Sequence, residues 1–486
     1  MTLLWLILIP IIAGVLSWRA GRSARWISLA AVLIGFVLGM SLWFRNPSAP
    51  FRQNVWLEEL DWSWIPGFGI RFHLAADGLS WLLVMLTFFL GIVAVLASWN
   101  ESREQNGFFY LNLNWVLAGI TGVFLAFDLV LFYFAWELML VPMYFLLAVW
   151  GSERRNRAAL KFFIFTQLSG LLMLISILSL HFVYLEITGI STFDYMRFAG
   201  TRLPPQTETW IMIGFFIAFA VKLPMVPLHT WLPDAYTESP TAGSIVIAGL
   251  MAKTGAYGLL RFIHPLFPGA AQLIAPAAIV LGVVGILYGA LLAFAQSDFK
   301  RLVAYTSISH LGFVLLGIFA WNPLALQGVI IQIISHGLSI AGLFLVAGAI
   351  EQRLGTSDMR AMGGLWSTVP ALSGTGVFFV MATLALPGLG NFIGEFLVLL
   401  GTFQVNRTAA IIASVGILAS TVYGVKLIQD AFHGPNTRGW RLPDIGFREA
   451  VVAAMLMASL AWLGLYPQPV FNTFRPAMNY LRGGAK

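Results

Sequence analysis

Apolar runs long enough to cross a lipid bilayer recur along this chain from its first residues almost to its last. A hydrocarbon core of ~30 Å takes about 20 residues of helix. Of the 486 residues, 59% are hydrophobic and only 10% are charged, against roughly a quarter charged in soluble domains. We therefore predict an all-α polytopic membrane protein that forms a single integral membrane domain over residues 1–486.

The apolar runs predict about fourteen transmembrane helices. The first run, TLLWLILIPIIAGVLSW, has neither a positive n-region before it nor a small-residue cleavage site after it, so we expect a retained helix rather than a signal peptide. The predicted spans lie near residues 2–18, 26–44, 78–98, 108–126, 129–149, 158–185, 209–229, 241–263, 270–295, 301–320, 324–350, 369–404, 407–431 and 447–465.

The short loops between these spans carry their positive charges on one side. RAGRSAR (19–25), ERRNR (153–157) and the KR pair at 300–301 fall on this side, and the opposite short loops carry few basic residues. Because basic loops stay in the cytoplasm, we expect this side to be cytoplasmic and both termini to lie on the other face.

Two of the predicted spans, the seventh and the twelfth, are interrupted in similar ways. AVKLPMVPLH (220–229) and TLALPGLGNFIGEF (383–396) each place proline inside an apolar run. Paired broken helices are typical of transporters built from inverted repeats, with an ion site near the membrane midplane. We predict two inverted five-helix repeats, helices 4 to 8 over residues 108–263 and helices 9 to 13 over residues 270–431.

The absence of cysteine excludes disulfides, thiolate zinc sites and cysteine-ligated iron–sulfur clusters on this chain. The sequence also has no GxGxxG motif after a strand, no Walker loop and no histidine cluster with metal-ligand spacing. We therefore predict no cofactor-binding or metal site. The formal net charge of +7 is spread over loops and suits lipid headgroups better than nucleic acid.

Six ionisable residues fall inside the predicted spans rather than at their ends. Insertion scales put a central Lys or Asp at about 2.5–3.5 kcal/mol each. These side chains are therefore expected to face one another or water rather than lipid. We take them as candidate proton-translocating residues: Glu137, Lys222, Lys253, His310, His336 and Glu395.

Lys222 lies just before the first break. Pro224 lacks an N–H group and is expected to leave the carbonyl of Ala220 unpaired. Freed carbonyls and the negative end of the first half-helix would then stabilise the charged lysine. The alternative for Lys222 is a side chain that snorkels to the interface, and the alternative for Glu137 is a protonated, packed carboxyl group.

The second break has the reverse polarity. Asn391 follows Pro387 and two glycines, and we predict that it caps the second half-helix. Glu395 would then lie about one turn inside the positive end of that helix, where the dipole favours an anion. A cation at one break and an anion at the other would complement each other, and a continuous twelfth helix would contradict this arrangement.

The remaining candidates lie between the two breaks in the sequence. Lys253 is in the middle of a span, and His310 and His336 are in adjacent spans. A histidine pKa of about 6.5 suits a proton relay. The alternatives are a fixed ion pair for Lys253 and core hydrogen bonds for the histidines. Lys426 either acts in the second repeat as Lys253 does in the first or pairs with Asp430 one turn on.

Two segments at these residues, KLPMVPLHTWLPDAYTESPTAG (222–243) and LMAKTGAYGLLRF (250–262), resemble a known family. They are similar to the antiporter-like membrane subunits of respiratory complex I, of multisubunit sodium/proton antiporters and of membrane-bound hydrogenases. FAWELMLVPMYFLLAVWG (134–151), SDMRAMGGLW (357–366) and LPGLGNFIGEFLVLLGTFQV (386–405) resemble the M-type branch of bacterial NADH:quinone oxidoreductase subunits. The glutamate in NFIGEF discriminates most, since the L-type and N-type branches resemble one another in carrying lysine there.

The resemblance implies a membrane-arm subunit of complex I in a bacterial inner membrane, with L-type and N-type subunits on either side. NADH, FMN, iron–sulfur clusters and quinone are implied in partner subunits. The residue roles implied are a carboxylate–lysine pair at Glu137 and Lys222, a linking lysine at Lys253, a central polar axis at His310 and His336, and a gate at Glu395. The family's motif after WLPDA usually continues with histidine, and Tyr236 stands at that position here.

Two other functions remain open from the sequence. The chain is alternatively a subunit of a sodium/proton antiporter or membrane-bound hydrogenase, for which sodium-dependent proton flux without NADH would be the sign. A second alternative is a structural spacer with static charge pairs. A spacer predicts unchanged pumping after Glu137→Gln in an assembled complex.

Overall fold

The computed structural model describes residues 1–45, 56–100, 105–436 and 438–483. Within these ranges the chain is mostly helical, and twelve helices are long and apolar enough to cross a membrane. These twelve coincide with twelve of the predicted spans, which confirms a polytopic helical membrane protein. The count of fourteen stays a prediction, because the two remaining spans are the interrupted seventh and twelfth.

The first half of the chain contains a hairpin and the helices up to the first break. Its elements are α1 (Thr2–Arg19), α2 (Ala24–Arg45), β1 (Glu58–Ile65), β2 (Ile70–Ala76), α3 (Gly78–Ala97), α4 (Asn106–Leu125), α5 (Leu129–Trp150), α6 (Arg155–Thr188), α7 (Tyr195–Phe198), α8 (Pro205–Lys222) and α9 (Trp231–Glu238).

A helix with two π-helical turns, Ile247–Met251 and Leu259–Ile263, begins the second half. The α-helices from here on are α10 (Thr241–Val246), α11 (Ala252–Gly258), α12 (His264–Leu266), α13 (Pro268–Phe294), α14 (Phe299–Ala320), α15 (Pro323–Leu354), α16 (Leu365–Thr368), α17 (Pro370–Thr383), α18 (Gly390–Val405), α19 (Arg407–Leu427), α20 (Phe447–Leu465) and α21 (Gln468–Gly483).

The antiparallel hairpin of β1 and β2 was not among the predicted elements. Gly69, with φ of 71°, ends the turn between the strands, in the left-handed region that glycine adopts at least cost. The His73 side chain of β2 hydrogen-bonds Asp194 and Glu59. We call this side of the molecule the hairpin end. The opposite side, where Asp234 bonds Lys161 and Arg301, is the basic end.

The helices that carry Lys253, His310 and His336 lie at the centre of the bundle. The apolar windows of the segments Thr241–Leu266 and Pro323–Leu354 are 100% buried, and that of α14 is 94% buried. The outer helices α1, α2 and α20 are only 28–39% buried over the same length. Side chains on the central helices therefore meet protein on all sides, with no lipid-facing surface.

Both predicted breaks are present. The first lies between α8, which ends at Lys222, and α9, which begins at Trp231. The second separates α17 from α18 over residues 384–389. The twelfth predicted span is therefore not a continuous helix, as expected.

Two details of the breaks differ from expectation. The carbonyl of Ala220 is paired, because it accepts a hydrogen bond from Met225 N at 2.8 Å. The chain turns tightly enough after Pro224 for this later N–H to replace the missing one. Asn391 is not the cap of α18 either: Leu389 holds the capping position without a side-chain bond, and the Asn391 side chain donates to Ser339 Oγ at 3.1 Å.

Each half of the chain contains a matching antiparallel bridge. Asp128 bridges to Asp194 at the hairpin end, and Asp298 bridges to Asp358 at the basic end. All four aspartates accept hydrogen bonds from backbone N–H groups of the helical turn that follows each of them. The two breaks also match, since Leu386 N donates to Met381 O as Met225 N donates to Ala220 O, five residues back in each case.

Candidate functional site

The structure buries five of the six candidate residues almost completely. The relative exposure of Lys222, Lys253, His310, His336 and Glu395 is 0–1%. Glu137 is half-buried on α5. Buried ionisable groups of this kind persist only with polar partners or a functional reason, so their contacts decide what the site does.

Lys253 contacts His336 directly. Its Nζ donates to Nδ1 of His336 at 2.8 Å and to the carbonyl of Ala248 at 2.6 Å. Ala248 lies in the π-helical turn that precedes α11. Such turns shift carbonyls out of the regular helix pattern and are frequent at functional sites. The turn thus supplies one acceptor for the ammonium and the neighbouring helix α15 supplies the other.

Glu395 and His310 form a second buried contact. His310 Nδ1 donates to Glu395 Oε1 at 2.6 Å, and the same oxygen accepts from Gln332 Nε2 at 3.0 Å. The hydroxyl of Tyr423 lies 3.1 Å from His310 Nε2. Three helices besides α18 therefore fix the carboxylate and imidazole in one geometry.

The two contacts join into one series. The rings of His310 and His336 lie 5.7 Å apart between centroids. The order Lys253, His336, His310, Glu395 therefore runs from α11 to α18. The prediction was that these residues face one another or water, and the structure brings all four together.

Lys222 has a different environment. Its Nζ has no hydrogen-bond partner among the described residues. The ammonium lies over two aromatic rings, 4.9 Å from the centroid of Trp136 and 5.9 Å from that of Phe162. Such faces attract cations by about 0.5–2 kcal/mol. Lys222 is buried too deeply to snorkel, and it is stabilised mainly by weak, non-directional contacts.

The end of α8 touches the helix of Lys253. A Cβ on Gly255 would lie 2.7 Å from Leu223 N and 3.1 Å from the carbonyl carbon of Lys222. Only glycine fits at this contact, which sets the backbone of Lys222 directly against α11. The first break and the central series are therefore adjacent in space.

Glu137 is held on the outer side of Lys222. Its carboxylate accepts hydrogen bonds from Tyr133 and Gln167, and the two charges of Glu137 and Lys222 are close enough to interact. No hydrogen bond joins the two side chains, and Glu137 Oε1 has no partner among the described residues. A Cβ on Gly170 would lie 2.7 Å from this oxygen. The predicted pair is thus a charge interaction without direct contact.

Several functional neighbours were not predicted. Gln332 precedes His336 by one helical turn. A polar residue at that spacing in an apolar run indicates that both side chains lie on one helix face, so the sequence could have predicted Gln332. Tyr423 gave no signal, because its contact with His310 arises from packing between distant helices. Gln167 of α6 was likewise not among the candidates, and it bonds Glu137.

Lys426 bonds neither Asp430 nor another titratable side chain among the described residues. Its Nζ donates to the carbonyls of Phe294 and Gln296 at 2.6 and 2.7 Å, at the end of α13. Tyr236 is fully buried, and its hydroxyl donates to the carbonyl of Ile247 at 3.4 Å. Within the described ranges, no group of three or more His, Asp or Glu side chains has a geometry suited to a metal ion.

Comparisons with known proteins agree with this architecture. The NADH:quinone oxidoreductase/Mrp antiporter transmembrane family matches residues 126–420. NADH-quinone oxidoreductase subunit M of Pseudomonas aeruginosa is 50% identical over 493 residues, which cover 99% of this chain and 97% of that protein. The subunit M of Escherichia coli is 49% identical over 499 residues, with 99% and 98% covered.

A solved structure shows the same fold. A chain of respiratory complex I from Thermus thermophilus with bound NADH superposes with a TM-score of 0.89 at 28% identity, and 99% of both chains is covered. Sequence and structure therefore agree over the whole length. The chain belongs to the NADH:quinone oxidoreductase/Mrp antiporter family of multi-pass membrane proteins.

Proposed function

We propose that the chain is the M subunit of a bacterial NADH:quinone oxidoreductase and translocates protons in its membrane arm. Relatives that are about half identical over their full length carry this name. The observation that carries the proposal is the buried series of Lys253, His336, His310 and Glu395, in which titratable groups follow one another across the bundle. Apolar packing alone does not account for such a series of titratable side chains.

The first step in this proposal concerns Glu137 and Lys222. The negative charge of Glu137 supports the protonated form of Lys222, which otherwise has only aromatic faces around it. When a charge shift in a neighbouring subunit weakens that support, Lys222 releases a proton to Lys253, which is able to accept it once it has passed its own proton to His336. The contact at Gly255 places the backbone of Lys222 against the helix of Lys253.

The second step moves the proton along the central series. The Lys253 ammonium already donates to His336 Nδ1, so transfer along this bond leaves a neutral lysine and an imidazolium. The His336 imidazolium then gives a proton to His310, whose ring centroid lies 5.7 Å away, and His310 gives the proton at Nδ1 to Glu395, with which it shares a hydrogen bond. Glu395 releases it on the other side of the membrane. Each proton moves against about 2.3 kcal/mol per 100 mV.

Glu137 is the candidate residue on which a neighbouring chain can act. It is half-buried, whereas the other five candidate residues are almost completely buried. We propose that L-type and N-type subunits flank this chain, and that one of them contributes the charge that acts on Glu137. NADH, FMN, the iron–sulfur clusters and quinone bind to other subunits in this proposal, and this chain carries no redox centre.

The proposal includes two inverted repeats over residues 108–263 and 270–431. The paired aspartate bridges at opposite ends of the bundle and the matching backbone bonds at the two breaks support it. In such an arrangement the first repeat opens to one side of the membrane and the second to the other. The central series then connects the two half-channels.

Purification through an affinity tag on this chain tests the function. We expect a complex that contains flavin and iron–sulfur clusters, oxidises NADH with quinone, and acidifies proteoliposomes only while NADH is supplied. Recovery of a flavin-free complex that exchanges sodium for protons without NADH would contradict the proposal and support the antiporter alternative. Unchanged acidification in an assembled Glu137→Gln complex would support a structural spacer.

A further inference from the structure

Lys253 is the first of three polar side chains on one face of its helix. Lys253, Tyr257 and Arg261 follow at intervals of four residues, which places them one above the other. The series leads from the centre of the bundle toward the hairpin end over about 12 Å of helix. The pumping steps described above do not use Tyr257 or Arg261.

Hydrogen bonds connect the side chains of Tyr257 and Arg261 to Ser80 of α3 and to its neighbourhood. The hydroxyl of Tyr257 lies 3.3 Å from Ser80 Oγ and donates to the carbonyl of Phe124 at 3.1 Å. Arg261 Nη2 donates to Ser80 Oγ at 3.5 Å and to Asp77 Oδ2 at 2.6 Å. These side chains are all buried. A continuous line of polar groups therefore extends outward from the helix of Lys253.

The line ends at Asp77, which is buried and directly follows β2. Ile70, Arg71 and His73 of β2 line an open cleft of about 650 Å³ together with Asp194. Tyr480 of α21 is near enough to interact with the charges of both Asp77 and Asp194. Tyr257 lies one turn from Lys253 on the same helix face, so polar groups extend from Lys253 toward the hairpin end. This line is a second direction, besides His336, for a proton on Lys253.

We propose that Arg261 is an electrostatic barrier that closes this second direction. A guanidinium keeps its charge in proteins and has no acceptor atom, so it neither relays a proton nor tolerates one nearby. Its planar group lies between the rings of Phe127 and Tyr257, at 5.1 and 5.3 Å. Asp77 is tied to it by a fully buried ion pair. The inference rests on the proposed proton route through Lys253.

The barrier has a consequence for coupling. A fixed positive charge in this polar line toward the hairpin end directs the proton through the two histidines to Glu395. Aquaporins and transporters exclude protons with arginine in a comparable way. Without Arg261, protons would cross the first repeat alone, independent of electron transfer.

Two substitutions that break the same ion pair separate a barrier from a structural clamp. Arg261→Gln removes the positive charge and Asp77→Asn keeps it. Vesicles that contain the purified complex are given a pH gradient without NADH, and the decay of the gradient is followed with a fluorescent dye. We expect Arg261→Gln to discharge the gradient several-fold faster than wild type, while Asp77→Asn, Arg261→Lys and the exposed control Arg197→Gln decay at the wild-type rate.

Equal leaks in Asp77→Asn and Arg261→Gln, or no leak in either, would overturn the proposal. Should Arg261→Gln alone fail to assemble, the double variant Asp77→Asn/Arg261→Gln leaves no unpaired buried charge. It is expected to leak, and addition of Tyr257→Phe is expected to reduce that leak. Because these measurements use no NADH, a failure of the barrier is distinct from a failure of the proposed pump, which would appear as absent NADH-driven acidification in wild type.

Discussion

His310 and Glu395, 85 residues apart in the chain, share a hydrogen bond of 2.6 Å in the fully buried centre of the second half. Gln332 donates to the same carboxylate oxygen, and the hydroxyl of Tyr423 lies 3.1 Å from the other ring nitrogen of His310, Nε2. This geometry leaves Glu395 only a few partners with which to exchange a proton. The proposed proton route therefore ends at Glu395 within the described residues.

Replacement of Glu395 by glutamine is expected to block the proton transfer from His310 to this side chain. The amide keeps the shape of the carboxyl group but cannot accept a proton, so we expect pumping to fall by about 10²-fold or more, with NADH oxidation lowered alongside. Acidification of inverted membrane vesicles measures this loss. The exposed Glu186→Gln is the matched control, and an equal effect of both variants would contradict the role of Glu395.

Replacement of Glu137 by glutamine is expected to weaken pumping without abolishing it. Glu137 supports the charge on Lys222 from a distance rather than carrying the proton in the central series. Loss of about 1.4 kcal/mol of support corresponds to a tenfold effect, so we expect a reduction of roughly that size. The same vesicle assay measures it. A loss as complete as that of Glu395→Gln would show that Glu137 is itself a proton carrier.

The sequence was sufficient to predict which ionisable residues the helix bundle buries, because charges and prolines inside apolar runs have few physical explanations. Lys222 before Pro224 and Glu395 shortly after the second break are examples. It was not sufficient for contacts between distant helices, such as Tyr423 with His310, since these depend on side-chain packing. The pairing of the Ala220 carbonyl depends on how tightly the chain turns, which residue types alone do not fix.

Substitution of Gly255 by alanine is expected to destabilise the fold. The added Cβ would lie 2.7 Å from backbone atoms at the end of α8, which cannot yield as a flexible side chain can. Overpacking of this kind costs roughly 1–3 kcal/mol. Thermal unfolding in detergent measures the loss. Gly374→Ala, where a Cβ meets no atom within 4 Å, is the control and is expected to unfold at or slightly above the wild-type temperature.

The hairpin is expected to loosen as the pH rises. Burial opposes the charge of His73, but its hydrogen bond with Asp194 and the nearby charges of Asp194, Asp61 and Glu59 outweigh burial and raise the pKa above 6.5. A raised pKa in the folded state gives stability that is complete below the ordinary value and lost as the pH rises through the raised one.

Hydrogen exchange of the β2 amides, corrected for intrinsic rates, measures this loosening. We expect protection to decrease from neutral to alkaline pH in wild type. His73→Gln is expected to lower the protection of the β2 amides at neutral pH. It is also expected to make that protection independent of pH between neutral and alkaline pH. Asp128, whose pKa burial raises to about 6, titrates below the range and is unchanged in the variant. A pH-independent wild type would contradict the role of His73.

The hairpin was not predicted, because its only sign in the sequence is the alternation of polar and apolar residues along two short segments. EELDWSWI and IRFHLAA pair as antiparallel strands, from Glu58 opposite Ala76 to Ile65 opposite Ile70. Both strands lie between two long apolar runs whose signal dominates the composition. The hairpin also stands partly exposed, with Trp62 and Trp64 nearly half accessible, so burial of an apolar face gives little indication of it.

The most direct test of the account is Lys222→Met in inverted membrane vesicles, with NADH oxidation and internal acidification followed in the same sample. Methionine keeps most of the length of the side chain and removes its charge, Glu137 keeps its hydrogen bonds with Tyr133 and Gln167, and a native gel confirms assembly. Lys426→Met, which removes a lysine whose hydrogen bonds go to two backbone carbonyls, is the control. We predict that Lys222→Met assembles but loses acidification with lowered NADH oxidation. Wild-type rates of both would contradict the central claim.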